Sequence, residues 1–310
     1  MTVSIDPLDG APFGARVVGL RPRTVDAATG QELRNACADH HGVLVIDFGR
    51  LLEVDELNAL TAIFGESEFA PGMITGIGKR RADDEPERSV DDQVAALRQR
   101  GIDPYLMFLG NVDPRTGERR STDELFFGEW EWHTDMSYIP VPPTFSLLHA
   151  RMVPPDGGDT SYASQVLAAA TLPDALRRRV QGRRIKHDST YTSAGMVRPG
   201  MSEPASPVEA IGTYHPILRR LPETGQEALF LGRRTNAYVE DLPLDESEAL
   251  LDDLWAHATQ EAFTYRHTWS PGEVVVWDNR VVMHCRHPFD PDHRRFMWRT
   301  QTKGEAVLQS

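Results

Sequence analysis

Apolar positions fall into short runs along this chain, and their spacing changes from helical to extended and back several times. Gln31 to Ala38 reads as helical, and the β-branched run Gly42-Val43-Leu44-Val45-Ile46-Asp47-Phe48 behind it suits a buried strand. Helical spacing resumes from Asp55 to Phe64, with Leu57, Leu60, Thr61 and Phe64 on one face. Beyond that point strands predominate: Tyr105 to Leu109, Thr144 to Ala150, Ala228 to Leu231, the alternating Phe263 to Trp269, and Gly272 to Asp278. Two further helices are predicted, over Ala163 to Gln181 and Glu246 to Thr259.

Residues 71 to 104 break this rhythm. Lys79 to Arg88 is a mixed charge run with no apolar period, so an exposed excursion is expected, either a plain solvated loop or a lid over a substrate. No internal repeat or low-complexity tract interrupts the rest. Many short strands with flanking helices and no regular strand-helix alternation disfavour a doubly wound parallel sheet. They predict a mainly β fold, a sandwich or jelly roll with helices outside, as a single domain over residues 1 to 310.

Composition narrows the function. A hydrophobic share of 40% supplies a sizeable core, and no apolar run approaches the ~20 residues that span a bilayer. The N-terminal Met1-Thr2-Val3-Ser4-Ile5-Asp6 lacks the basic and apolar regions of a signal peptide, so a cytoplasmic protein is expected, with no membrane partner. Cys37 and Cys285 are too few for a disulfide framework. A net charge of -13 opposes a nucleic-acid groove. The expected partner is a small molecule, and self-association stays open.

The chemistry lies in two distant segments, Trp132-His133-Thr134-Asp135 and Asn279-Arg280-Val281-Val282-Met283-His284, followed by Arg295 and Arg299. His133 and Asp135 are two apart, so on a strand they share one face and converge on one ion. That tripeptide alone is a weak signal, since such a pattern arises by chance and a lone histidine is more often structural. His284 completes a set of two imidazoles and a carboxylate. Such a set leaves one face of a metal open, as non-haem Fe(II) oxygenases require, although catalytic Zn2+ in a hydrolase uses the same ligands. His40, His41, His215, His287 and His293 compete for the role and by context read as surface or structural. Arg295, with Thr160 in Gly157-Gly158-Asp159-Thr160, tips the balance, because a guanidinium fork and a hydroxyl orient a dicarboxylate co-substrate that a hydrolase does not need.

These residues stand in the order of a known family. Trp132-His133-Thr134-Asp135, Pro142-Pro143, Gly157-Gly158-Asp159-Thr160, His215-Pro216, Ala228-Leu229-Phe230, Trp277-Asp278-Asn279-Arg280, His284 and Arg294-Arg295-Phe296-Met297-Trp298-Arg299 together resemble the taurine dioxygenase-like Fe(II)/2-oxoglutarate-dependent dioxygenases. The resemblance covers about residues 105 to 303, and more loosely the chain from residue 11. It implies a double-stranded β-helix, Fe(II) on His133, Asp135 and His284, and 2-oxoglutarate held at its distal carboxylate by Thr160 and Arg295. With O2, such an enzyme oxidises a substrate C–H while 2-oxoglutarate leaves as succinate and CO2.

Arg299 matches an arginine that meets the primary substrate in sulfonate-using members. Asn111, and Arg198 in the polar stretch Thr190 to Thr213, are further substrate candidates. Because Asp135 occupies a position that halide-transferring relatives leave to Gly or Ala, hydroxylation is implied over halogenation; desaturation and cyclisation remain alternatives. Two departures speak against taurine itself. Phe64-Gly65 leads into Glu66-Ser67-Glu68 without the histidine that sulfonate-using members carry there, and residues 71 to 104 are longer than their counterpart.

Overall fold

The computed structural model describes residues 3–71, 73–75, 78–79, 88–113, 116–119 and 131–308. A seven-stranded sheet has the order β1 (Ser4–Pro7), β2 (Ala15–Val18), β3 (Val43–Asp47), β15 (Glu273–Asp278), β7 (Phe145–Met152), β17 (Phe296–Gln301) and β6 (Met107–Gly110). All its pairings are antiparallel except β2 with β3. A smaller sheet has β8 (Thr160–Ser164) between β14 (Thr264–His267) and β16 (Val282–Arg286). The two pack around a shared apolar core as a double-stranded β-helix, the jelly roll expected from the strand pattern.

Side-chain alternation explains why the main sheet is buried on both faces. Along β3, Val43 and Val45 enter the core between the sheets, while Leu44 and Ile46 enter the one beneath the helices. Along β15, Val275 and Trp277 face inward, and Val274 and Val276 face the helices. Helices α1 (Ala27–Asp39) and α2 (Val54–Phe64) cover that outer face, α2 burying the predicted stripe of Leu57, Leu60, Thr61 and Phe64.

A third core lies under α4 (Gln165–Ala170), α5 (Asp174–Val180) and α6 (Leu244–Ala258). These helices sit against the three-stranded set of β9 (Arg184–Asp188), β10 (Gly212–Pro216) and β13 (Tyr238–Val239), and against the pair β11 (Leu218–Arg220) and β12 (Glu227–Leu229). The single helix expected over Ala163 to Gln181 is thus two short helices. Pro173, which cannot donate to a helical ladder, stands at the start of the second, and residues 163 and 164 end β8 instead.

The excursion contains more order than its charge suggests. Two short strands, β4 (Ile74–Thr75) and β5 (Gly78–Lys79), pair in parallel, and α3 (Val90–Gln99) follows. Ser89 caps α3 by accepting from the Asp92 backbone N–H at 3.1 Å, with Asp91 and Asp92 in the first turn complementing the dipole. Most of the charge run, residues 80–87, lies outside the described residues. The two ends of the excursion meet. Ala70 N donates to Pro104 O at 2.9 Å, and the rings of Phe69 and Tyr105 stack with centroids 5.0 Å apart. That contact forms a closed neck between the excursion and the sheet.

Candidate active site

The two histidines are brought together by backbone. His133 N donates to His284 O at 3.0 Å and His284 N to His133 O at 2.9 Å, an isolated antiparallel bridge that sets the imidazoles side by side with centroids 4.2 Å apart. His284 is the central residue of β16, so it sits within a strand. His133 is the only residue of its segment in the bridge. The chain turns at Asp135, where Met136 adopts φ 48°, a left-handed conformation rare for a residue with a Cβ. Bridge and turn together, instead of the continuous strand that the spacing predicts, converge the two ligands.

His133, Asp135 and His284 are buried, and their ligand atoms lie within 4.8 Å of one another, the one such cluster among the described residues. Asp135 Oδ1 is 3.8 Å from His133 Nε2 and 4.0 Å from His284 Nε2. Two atoms each about 2.1 Å from one ion are at most about 4.2 Å apart, so both separations fit a shared metal. His133 Nδ1 lies 2.8 Å from Glu131 O, which fixes the proton there and leaves Nε2 as a lone pair for an ion. Glu131 is itself held, its carboxylate accepting from Thr235 N at 2.7 Å and Thr235 Oγ1 at 2.9 Å.

Protonation suits a metal. Burial, and then the neighbouring His284, lower the His133 pKa well below its usual value, and burial takes His284 down to about 4. Burial alone would raise Asp135; Arg299, the two histidines and Ser146 overcome it and hold the carboxyl at about 2. Both imidazoles are therefore neutral and the carboxylate ionised at neutral pH.

Three further side chains complete this arrangement, of which only Asn279 lies in a segment that the sequence singles out. Ser146 Oγ donates to Asp135 Oδ2 at 3.0 Å, and its cross-strand partner Gln301 donates to both, at 3.2 Å to Oδ2 and 2.9 Å to Oγ. Asn279 clamps the turn: its Oδ1 accepts from Asp135 N at 2.8 Å, while its Nδ2 donates to Asp135 O at 2.9 Å and Pro143 O at 3.0 Å. Their signal in the sequence is a polar residue on an otherwise apolar buried strand or at its exit, which carries no chemistry by itself.

Thr160 opens β8 and Arg295 immediately precedes β17, both nearly inaccessible. Thr160 Oγ1 accepts from Trp269 Nε1 at 3.0 Å, so its own proton is left for another acceptor. Arg295 Nε donates to Gly158 O at 3.1 Å, and no carboxylate among the described residues forms an ion pair with it. Burial lowers its pKa to about 10, and the guanidinium stays charged at neutral pH. Arg286, opposite Thr160 across the β8–β16 ladder, is a second buried guanidinium here and was not singled out by sequence.

The substrate candidates diverge. Asn111 grips the Arg295 peptide, its Oδ1 accepting from Arg295 N at 2.8 Å and its backbone N–H donating to Arg295 O at 3.0 Å, while Nδ2 donates to His293 O at 2.8 Å. Gly110 beside it has φ 124°, and a Cβ there would stand 1.9 Å from Arg295 O. Arg299 reaches Asp135 Oδ1 at 2.9 Å and Met107 Sδ at 3.1 Å. Arg198 lies over the Tyr138 ring at 4.2 Å, its Nε donating to Tyr191 O at 3.1 Å. His215 and His287 stay outside the cluster, with partners at Ile139 O (3.1 Å) and Ser161 Oγ (2.7 Å).

A jelly roll carrying a buried His/Asp/His triangle is the arrangement of a non-haem iron dioxygenase. The chain belongs to the taurine catabolism dioxygenase TauD, TfdA family, whose profile matches residues 4–301. It is 28% identical over 317 residues to an (S)-phenoxypropionate/alpha-ketoglutarate-dioxygenase of Sphingobium herbicidovorans, covering 99% of this chain and 96% of that one. It is 34% identical over 307 residues to pentalenolactone F synthase of Streptomyces arenae, covering 95% and 93%. A crystal structure of AAD-2 in complex with Mn(II) and N-oxalylglycine matches over 100% of both chains, with a TM-score of 0.77 and 26% identity. The protein is therefore a 2-oxoglutarate-dependent oxidoreductase that uses Fe(II) and O2, which sets the zinc hydrolase alternative aside.

Proposed function

We propose that the chain is one dioxygenase domain that hydroxylates an unactivated C–H bond of a small anionic molecule, an amino-acid derivative or specialised metabolite. Bound iron and 2-oxoglutarate supply the oxidising power, the co-substrate leaving as succinate and CO2. His133, Asp135 and His284 hold the metal. Arg295 and Thr160 take the distal carboxylate of 2-oxoglutarate, the one offering an unneutralised fork and the other a spare hydroxyl proton. Asn111 keeps Arg295 in place, and Arg299 keeps the Asp135 carboxylate turned toward the metal.

Arg233 carries the anionic part of this reading. It is 6% exposed, lies near enough to His133 to lower that pKa, and pairs with no carboxylate among the described residues. Its terminal nitrogens donate to the Tyr191, Thr192 and Asp188 carbonyls, and no carboxylate meets it directly, although Glu131 and Asp188 lie near enough to favour its charged form. Arg198 adds a second charge that Arg233 feels. A buried guanidinium with no direct ion pair is stabilised further when an anion arrives. The phenoxypropionate relative acts on a carboxylate, and the synthase relative supports specialised metabolism.

The test is a screen for substrate-dependent succinate release across carboxylates, amino acids and sulfonates, each beside its neutral ester or amide. Anions are expected to stimulate release and to gain one oxygen by mass; equal stimulation by the neutral forms would sink the anionic assignment. Arg295→Ala should weaken 2-oxoglutarate binding by roughly 30-fold or more, since losing one partner of a buried charged pair costs about 2–5 kcal/mol. Thr160→Val should act in the same direction by about 0.5–1.5 kcal/mol.

A further inference from the structure

We propose that the Tyr162 hydroxyl is a third donor to the 2-oxoglutarate carboxylate held by Arg295 and Thr160. The inference rests on the assignment of those two residues to the co-substrate. Tyr162 follows Thr160 by two positions on β8, so both side chains leave the same face of the strand. Across the ladder Thr160 stands opposite Arg286, whereas Tyr162 stands opposite the metal ligand His284. Tyr162 therefore stands level with the metal ligand His284 and one same-face step along β8 from Thr160.

Its ring is fully buried among aromatics, 5.7 Å from Trp277, 6.2 Å from His284 and 6.5 Å from Tyr265 by centroids. The hydroxyl oxygen is equally buried and has no hydrogen-bond partner. Such orphaned groups are rare in folded proteins, and a phenylalanine would fill the same space without leaving one. A phenol, with an ordinary pKa of about 10, is protonated at neutral pH and donates. A carboxylate has about four lone-pair sites and accepts from a guanidinium, a threonine and a phenol together.

Anaerobic titration of the Fe(II)-loaded protein with 2-oxoglutarate, followed by the visible charge-transfer band, tests the assignment. Tyr162→Phe is expected to raise the 2-oxoglutarate Kd about tenfold, the contribution of one hydrogen bond to a charged acceptor. Its Fe(II) affinity should not change. Without co-substrate the variant should melt at the wild-type temperature or above, and 2-oxoglutarate should raise that temperature less than in wild type. Wild-type protein that fails to bind 2-oxoglutarate would defeat the roles of Thr160 and Arg295 as well. Tight binding by both proteins, or a change confined to Fe(II) affinity, would overturn the role of Tyr162 alone.

Discussion

Asp135 accepts hydrogen bonds on both carboxylate oxygens from three side chains, so its orientation is fixed before a metal arrives. This makes the three ligands unequal. The His133–His284 bridge uses backbone atoms only, so His133→Ala and His284→Ala should abolish Fe(II)-dependent turnover while melting near wild type. Asp135→Ala should abolish turnover and also destabilise, because Arg299 is left buried and unpaired, at a cost of about 3–5 kcal/mol. Thermal melts beside Fe(II) titrations separate the cases; a melting temperature for Asp135→Ala equal to the histidine variants would show that Arg299 finds another partner. At this scale the ligands were legible because imidazole and carboxylate carry recognisable metal chemistry. Ser146 and Gln301 were not, since their importance comes from which buried atoms they meet across strands far apart in sequence.

Elements were legible where period and boundary signals agreed. The stripe of α2 predicted its buried face, and its start is fixed by Glu56, which accepts from Glu53 N at 3.1 Å and from both terminal nitrogens of Arg50 at 2.8 and 2.6 Å. The Arg50 bonds, then the Glu53 backbone, hold the Glu56 carboxyl at about 2 against its ordinary 4.5. A depressed folded pKa means stabilisation that is complete above pH 4.5 and fades as pH falls toward 2. Glu56→Gln should therefore lower stability by about 1 kcal/mol at neutral pH, the scale of a helix cap, and the gap to wild type should close through that acid window. Urea midpoints from pH 7 to pH 3 would reveal it, and a constant gap would contradict it. The sequence misleads where one signal hides another. Pro173 marked the break between α4 and α5, but the surrounding periodicity outweighed it. In α3 the dense charge masked a weak stripe of Val94 and Leu97, half-buried rather than buried.

For the molecule as a whole, the main question is what residues 71 to 104 do, and we propose that they form a lid over the substrate. A chain whose residues 76 to 98 are replaced by a short Gly-Ser linker should keep its fold, because the Ala70–Pro104 bond and the Phe69–Tyr105 stack lie outside the replaced part. It should bind Fe(II) and 2-oxoglutarate as before, yet release succinate without hydroxylated product, since a missing lid admits water. Full coupling between succinate and product would make the segment a plain surface loop. The jelly roll itself followed from strand patterning, whereas the neck was invisible in sequence because it depends on two ends meeting. That neck also bears on how such a protein changes over generations. Closing a loop of any length against a fixed junction costs chain entropy that grows only with the logarithm of length, about 0.6 kcal/mol per doubling. Insertions and deletions between Phe69 and Tyr105 are thus nearly neutral for the barrel, so the length of this segment is free to change while the iron chemistry is inherited intact.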